Sequence, residues 1–400
     1  MGRGRLWSLV GLAVIVQLVV GLAVLPQQAN PIRRYILPKT PWVLPVQTPI
    51  VSPTPDLGSL DDDIGSVLVV SWYGDQMSTG LQALLTDGRV GGVLLFGSNF
   101  GSSPAGVKVW SDRLQAVASS ACQDHPILIM LDEEGGQVAQ VHADFAPPSE
   151  LEAGAGGPDH VRAVEQANAA GLRQAGVGLN LAPVADVRTN PYDGVILDRS
   201  FGSNPAVVAP LVAAAVQGLH DGGVGATLKH FPGLGGAAGD PHVAIPTDNE
   251  SEARWKAVQM PSFQAGIAAG ADAVMTTAVY VPGLGGGNMP AMFSASVVSR
   301  LRTQLNFGGV IISDSVSMGG IGARWSLPEA TVMALAAGND LVLLANGDPA
   351  YEMDALAAVR AAVLSGRLDR TRLHESAMRV NQMRDKWGRR FTHCRAPFGT

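Results

Sequence analysis

A histidine and two aspartates are the residues of this chain best suited to chemistry. Asp240 stands two residues before His242, on a glycine-rich stretch that follows Lys229–Gly233. At this spacing the carboxylate can hold one ring nitrogen and leave the other free to act as a general acid and base. Asp314 follows a separate apolar run, Val310–Ser313, and could serve as a nucleophile. An acid/base and an isolated carboxylate are the groups that break a glycosidic bond through a covalent intermediate.

Eight short apolar runs predict the strands that position these residues. They are Val67–Val70, Val93–Phe96, Ile127–Leu131, Gly178–Leu181, Gly225–Leu228, Ala273–Thr276, Val310–Ser313 and Leu341–Leu344. Uninterrupted apolarity is typical of parallel strands that are buried on both faces. Helix-like stretches such as His160–Ala175 and Trp255–Ala269 lie between them. The alternation predicts an α/β fold, a single (β/α)8 TIM-type barrel, and the competing arrangement is an open doubly wound sheet.

The barrel interpretation places the polar candidates on one rim. Active sites of such barrels lie at the carboxyl ends of the strands. The candidates follow the third, fourth, fifth and seventh runs: Asp132, Arg199, Lys229 with His230, and Asp314. Fold and chemistry therefore point to the same face of the molecule.

Four stretches resemble glycoside hydrolase family 3, in particular its single-domain β-N-acetylglucosaminidase branch. The similarity covers roughly residues 60 to 390, and the combination of motifs is more specific than any one of them. The stretches are Leu131–Gly136, Asp198–Gly202, Lys229–Gly233 followed by Asp240–His242, and Ser313–Met318.

The resemblance implies a role for each candidate. Asp314 would be the nucleophile, and His242 would be the acid/base that Asp240 orients. Four residues would hold sugar hydroxyls: Asp132, Arg199, Lys229 and His230. The implied activity is that of a retaining, exo-acting β-N-acetylglucosaminidase on cell-wall saccharides, and we expect a monomer without cofactor or metal.

The chain departs from the family pattern at four positions. Gln137 and Gln140 stand where the acid loop commonly has arginines, and an amide does not reproduce the charge and fixed fork of a guanidinium. Leu234 and Ala278 stand where histidines are common. The two glutamines predict weaker recognition of N-acetylglucosamine, and the catalytic carboxylate and the Asp240–His242 pair are not affected.

Simpler roles remain open for several candidates. Asp314 could be a helix N-cap after a strand. Arg199 could clamp a loop carboxylate, and Lys229 with His230 could form a buried ion-pair network with Asp132. Glu133 and Glu134 are interpreted as structural residues beside a Gly-Gly turn.

Other functions are also open. The motifs are compatible with a β-glucosidase-like hydrolase or a glycoside phosphorylase of the same family. The Gln137 and Gln140 replacements leave a third possibility open, an anchored carbohydrate-binding protein with little turnover. The glycine- and alanine-rich loop around Asp240 is expected to be mobile without ligand, because few of its side chains can pack.

Composition narrows the partners. The net charge of −6 provides no basic surface, which argues against nucleic acid. The two cysteines, Cys122 and Cys394, have no metal-ligand spacing and could pair or remain separate thiols.

The N-terminus indicates targeting. A basic start precedes Leu6–Leu25, a run without charges that is long enough to span a bilayer, and no good cleavage site follows. We expect residues 1–25 to be a membrane anchor, with an atypical cleaved signal as the alternative. Residues 26–60 are proline-rich and predict an extended linker, or else an ordered arm. The barrel would occupy 61–390 and a tail 391–400, outside the cytoplasm, membrane-anchored or secreted.

Overall fold

The computed structural model describes residues 58–192 and 194–389, in which eight parallel strands surround a central core. The strands are β1 (Leu68–Val70), β2 (Gly92–Leu94), β3 (Leu128–Leu131), β4 (Leu179–Asn180), β5 (Gly225–Phe231), β6 (Ala273–Thr276), β7 (Val310–Ser313) and β8 (Val342–Leu343). They are ordered β7-β6-β5-β4-β3-β2-β1-β8. Ile312 in β7 bridges to Leu341, directly before β8, so the two ends of the sheet meet. The predicted (β/α)8 barrel is confirmed, and the open sheet is wrong.

Helices pack around the outside of the strands. They are α1 (Leu60–Ser66), α2 (Thr79–Thr86), α3 (Gly97–Phe100), α4 (Pro104–Ser120), α5 (Glu150–Gly154), α6 (Pro158–Ala175), α7 (Pro205–Asp221), α8 (Glu252–Val258), α9 (Met260–Ala268), α10 (Ala295–Thr303), α11 (Gly319–Gly322), α12 (Leu327–Ala337), α13 (Pro349–Leu364) and α14 (Arg370–Trp387). Polar caps start many of them: Asn204 caps α7 and Asp348 caps α13. Proline follows each of these caps, where its missing N–H costs no helical hydrogen bond.

The strands are buried on both faces. In β3, Leu128 and Met130 belong to the apolar cluster inside the barrel, whereas Ile129 and Leu131 belong to the cluster between strands and helices. Successive side chains of a strand point to opposite sides, so a strand enclosed on both sides needs an unbroken apolar run. This is why the apolar runs located all eight strands.

Two helical features differ from expectation. The stretch Trp255–Ala269 was predicted as one helix but forms α8 and α9, which meet at Gln259. Pro261 cannot donate a backbone hydrogen bond there, and the Gln259 side chain bonds both the N–H and the C=O of Val187, at 2.9 Å each. Helix α14 was not predicted, since its composition is mainly polar. Its buried Val380 and Met383 nevertheless pack with the interior cluster of the barrel.

The predicted terminal segments fall mostly outside the described residues. These are the anchor 1–25, the linker up to residue 57, the tail 391–400 and, with the tail, Cys394. Within the part of the chain that the structure describes, no helix is both long enough and apolar enough to cross a membrane.

Candidate active site

A cavity of about 200 Å³ lies where the sequence predicted the site. It is lined by six of the seven predicted site residues: Asp132, Arg199, Lys229, His230, His242 and Asp314. The seventh, Asp240, does not line the cavity but forms a hydrogen bond with the ring of His242. The barrel therefore brings together residues from the ends of β3, β5 and β7 and from the long loops after β4 and β5.

The Asp240–His242 pair is a local unit. Oδ1 of Asp240 accepts hydrogen bonds from the backbone N–H of His242 and from its ring Nδ1, both at 2.8 Å. Nε2 of the ring remains available to a ligand, and the His242 side chain is 68% exposed. Partial burial acts to raise the pKa of Asp240, but the two His242 contacts outweigh it and lower that pKa. The carboxylate therefore stays ionised and can support a proton on the ring.

The loop that carries this pair is held at both ends. Its first half is buried, and there Leu234 N–H donates to Oδ1 of Asp186 at 2.6 Å. At its far end, Pro241 C=O accepts a bond of 3.2 Å from the N–H of Gly320 in α11. Directly after Pro241, the side chains of His242 and Val243 face solvent. The predicted mobility of the loop thus concerns its second half, and it stays a prediction.

Asp314 lies directly after β7 with both carboxylate oxygens in hydrogen bonds. Oδ1 accepts from the N–H of Ser315 and Oδ2 from the hydroxyl of Thr277, each at 2.7 Å. The N-cap interpretation is wrong, because the nearest following helix, α11, is capped by Met318. Thr277 was not predicted as a site residue. Its position directly after the sixth apolar run was the signal that could have found it.

A buried ion network forms the opposite wall. Nζ of Lys229 lies 2.6 Å from Oδ1 of Asp132 and 2.6 Å from Oε1 of Glu134. Arg199 grips Glu134 with two parallel bonds, Nε to Oε2 at 2.7 Å and Nη2 to Oε1 at 2.8 Å. Arg199 therefore does clamp a loop carboxylate, as considered from the sequence, and it lines the cavity as well.

The adjacent glutamates Glu133 and Glu134 have pKa values that are shifted in opposite directions. Burial acts to raise the pKa of Glu134, but the Lys229 and Arg199 cations overcome this and hold it at about 2. Glu133 has no such cation beside it, and burial raises its pKa to about 7 even though the N–H groups of Gln140 and Val141 donate to its Oε2. Glu134, which also lines the cavity, therefore keeps its charge near neutral pH, whereas Glu133 is only partly ionised there. Their structural role stays a prediction.

His230 is held by an acid that the sequence analysis missed. Its Nδ1 lies 2.7 Å from Oδ2 of the fully buried Asp186. Arg199 can only donate, and its Nη2 lies 3.3 Å from Nε2 of His230, so Nε2 accepts and Nδ1 carries the proton. His230 thus pairs with Asp186 and not with Asp132. The signal for Asp186 was a lone acid in the apolar stretch Ala185–Val187, shortly after the fourth run.

The family departures occupy different environments. Gln140 lines the cavity, and its Oε1 accepts a 2.9 Å bond from the N–H of Gly97. Gln137 is exposed and donates to Asp198, beside Arg199, at 2.5 Å. Leu234 forms part of the cavity wall, whereas Ala278 is buried elsewhere. Of the described residues, no group of histidine, cysteine, aspartate and glutamate has an arrangement that could hold a metal ion.

Comparison with known proteins agrees with this geometry. Residues 59–383 match the model of the glycosyl hydrolase family 3 N terminal domain. A beta-hexosaminidase of Methylobacillus flagellatus is 37% identical over 266 residues, covering 64% of this chain and 74% of the relative. The beta-hexosaminidase LpqI of Mycobacterium tuberculosis is 31% identical over 367 residues, covering 87% and 89%.

A solved structure is also similar to this chain. A glycoside hydrolase family 3 beta-N-acetylglucosaminidase from Paenibacillus superposes with a TM-score of 0.78 at 32% identity, covering 85% of this chain and 65% of that one. The barrel fold together with these matches places the chain in the class of α/β-barrel glycoside hydrolases. The chain belongs to glycosyl hydrolase family 3.

Proposed function

We propose that this chain is an exo-acting, retaining β-N-acetylhexosaminidase that removes terminal β-linked N-acetylglucosamine through a covalent glycosyl-enzyme. Two features support the choice of sugar: relatives named beta-hexosaminidase and the likeness to a beta-N-acetylglucosaminidase structure. The composition of the cavity supports the reaction type.

In the first step Asp314 attacks the anomeric carbon of the bound sugar. The bond from a carboxylate oxygen to that carbon forms as the glycosidic bond breaks, and Nε2 of His242 gives its proton to the departing oxygen. Asp240 stabilises the charged ring before the transfer. The carboxylate of Asp314 also stabilises the positive charge that develops on the sugar.

In the second step water attacks the same carbon from the side that the leaving group has vacated. The bond to Asp314 breaks, and His242 takes the proton from water. Two displacements restore the original anomeric configuration. Asp132, Arg199, Lys229 and His230 hold sugar hydroxyls in both steps, and their ion pairs fix the geometry before substrate arrives.

One observation carries the proposal: a single cavity of about 200 Å³ is lined by both Asp314 and His242. This is small beside the roughly 300–1,000 Å³ of pockets that enclose drug-sized ligands. A cavity of this size suits one terminal sugar ring, which supports exo action.

The test is a panel of aryl β-glycosides, with and without phosphate, on the wild type and on Asp314→Asn. We expect cleavage of the N-acetylglucosaminide with retention, loss of roughly 10³-fold or more in the variant, and labelling of Asp314 by a mechanism-based fluorosugar. Labelling elsewhere, or a variant of near-normal activity, would contradict the mechanism. Release of a sugar phosphate would indicate a phosphorylase, and preference for the glucoside would indicate a β-glucosidase.

The biological setting is a further part of the proposal. A 20-residue uncharged segment near the N-terminus supports an extracytoplasmic enzyme, anchored or secreted, acting on cell-wall-derived saccharides. Fractionation of cells that express the full chain, followed by N-terminal sequencing, would separate anchor from cleaved signal.

A further inference from the structure

Thr277 is a buried threonine that touches the carboxylate proposed as nucleophile. It follows β6, and its hydroxyl lies 2.7 Å from Oδ2 of Asp314. An ionised carboxylate can only accept, so the hydroxyl must donate. Asp314 is half-buried, and hydrogen bonds to a charged group are stronger than those between two neutral groups.

The backbone of Thr277 is fixed without help from Asp314. Its N–H donates to the C=O of Phe231 in β5 at 3.0 Å, and its C=O accepts from the N–H of Met292 at 3.1 Å. A β-branched side chain has few rotamers, so a fixed backbone also restricts the hydroxyl. Asp314 is different, because the terminal torsion of an aspartate is broad and the carboxylate plane can turn. The hydrogen bond from Thr277 limits that turning.

The adjacent Thr276 provides a built-in contrast. Its hydroxyl donates to Oδ1 of Asn339 at 2.7 Å, and Thr276 contacts Asp314 through its backbone C=O, which accepts the N–H of Asp314 at 2.7 Å. Both threonines are fully buried at the end of the same strand. Their side chains point to opposite sides, as successive residues of a strand do. The hydroxyl of Thr276 therefore bonds Asn339 outside the cavity, whereas the hydroxyl of Thr277 bonds Asp314, which lines the cavity.

We propose that Thr277 is a positioning residue that holds the plane of the Asp314 carboxylate for attack on the anomeric carbon. It transfers no proton and touches no substrate. The proposal rests on the proposed nucleophilic role of Asp314. Its consequence is that Thr277 affects the chemical steps more than the binding of the sugar.

The experiment compares Thr277→Val, Thr277→Ser and Thr276→Val in the full chain, using the aryl β-glycoside that the wild type cleaves best. We expect kcat of Thr277→Val to fall about 10- to 100-fold, with little change in KM or in inhibition by the product sugar. Inactivation by the fluorosugar should slow in parallel. Serine should restore most of the rate, and Thr276→Val should lose stability while keeping kcat. If Thr277→Val does not fold, Thr277→Ala is measured against Thr277→Ser instead.

The outcomes separate this inference from the proposed function. An unreactive wild type, or an active Asp314→Asn, overturns both. An active wild type with an inactive Asp314→Asn and a normal Thr277→Val overturns the positioning role alone. A rate loss that serine does not restore, or that Thr276→Val shares, also overturns it.

Discussion

Lys229 and His242 both line the cavity, but the side chain of Lys229 is 3% exposed and that of His242 is 68% exposed. Lys229 belongs to a network of charges, and both of its partners lie on the loop after β3. His242 has its charged partner two residues away. The wall built from β3 to β5 is preorganised by ion pairs between distant segments. The loop that carries His242 is a local unit, and its place depends on where its backbone docks.

The docking contact is unusually close. A Cβ on Gly319 would lie 2.3 Å from the C=O oxygen of His242, and one on Gly320 would lie 2.7 Å from that of Pro241. Both glycines belong to α11, five and six residues after Asp314 in the chain. The segment that follows the proposed nucleophile thus also receives the loop of the proposed acid/base. Substitutions in the ion network should therefore mainly lower the free energy of unfolding. Substitutions at the contact between α11 and the loop should mainly lower the reaction rate.

The largest expected effect is that of Lys229→Met. Its removal leaves Asp132 and Glu134 without their shared cation, and losing one partner of a buried pair costs about 3–5 kcal/mol. We expect that loss in the free energy of unfolding, measured with denaturant, together with a loss of activity. Lys108→Met is the control, because Lys108 and Asp112 form an exposed pair worth at most about 1 kcal/mol. Equal losses in the two variants would contradict preorganisation by the network.

The second effect is that of Gly319→Ala on rate. The added methyl group must push the His242 backbone away, and misplacing a general acid/base costs about 10²-fold or more. The loss of kcat/KM should be greatest for aryl glycosides with poor leaving groups, which need the proton most. The atoms that must move belong to the backbone, so the free energy of unfolding should also fall, but by less than in Lys229→Met.

Gly322→Ala is the matched control for this prediction. It lies in the same helix, and the nearest atom to its Cβ, the C=O oxygen of Ser317, is 4.0 Å away. Its activity should be near that of the wild type. If Gly319→Ala is equally active, the docking contact does not position His242.

The third effect is a pH dependence of the free energy of unfolding that comes from the buried Glu133, next to Glu134 of the ion network. The pKa of Glu133 is raised by burial from 4.5 to about 7, so the folded state keeps a proton that the unfolded chain loses. Its contribution is complete below pH 4.5 and declines as the pH rises to about 7, by on the order of 3 kcal/mol. Glu134, with its pKa lowered to about 2, has the opposite sign and contributes above pH 4.5.

Glu133→Gln tests this sign. The variant cannot ionise, so its melting temperature should depend less on pH between 4.5 and 7 than that of the wild type. Thermal unfolding across this interval measures the difference. Parallel curves for the two proteins would mean that Glu133 does not titrate in this range.

The smallest effect concerns Gln140, which lines the cavity. An arginine there could add a charged hydrogen bond to the sugar, worth roughly 1.5–3 kcal/mol against about half that for a neutral one. Gln140→Arg should therefore lower KM for the aryl N-acetylglucosaminide several-fold. It also removes the bond to Gly97, so unfolding is measured alongside. Gln137→Arg, at an exposed position, should leave KM unchanged, and an equal gain there would contradict the assignment.

The sequence by itself determined the barrel and the local half of the site. Strands enclosed on both faces need unbroken apolar runs, and those runs are visible without any structure. The Asp240–His242 contact forms between residues two apart, so it depends on little else. The position of Asp314 followed from the rule that strand ends share one rim.

Only the tertiary structure decided the partners of the buried charges. The pair of Lys229 and Asp132 spans 97 residues, and that of His230 and Asp186 spans 44. The chain has 34 acidic residues, and spacing along the sequence does not select among them. Thr277 and Gly319 are residues of ordinary type whose importance comes from what lies 2 to 3 Å away. Such contacts are set by how β5, β6, β7 and α11 pack, because the energy of a buried polar contact depends on a neighbour supplied by another part of the chain.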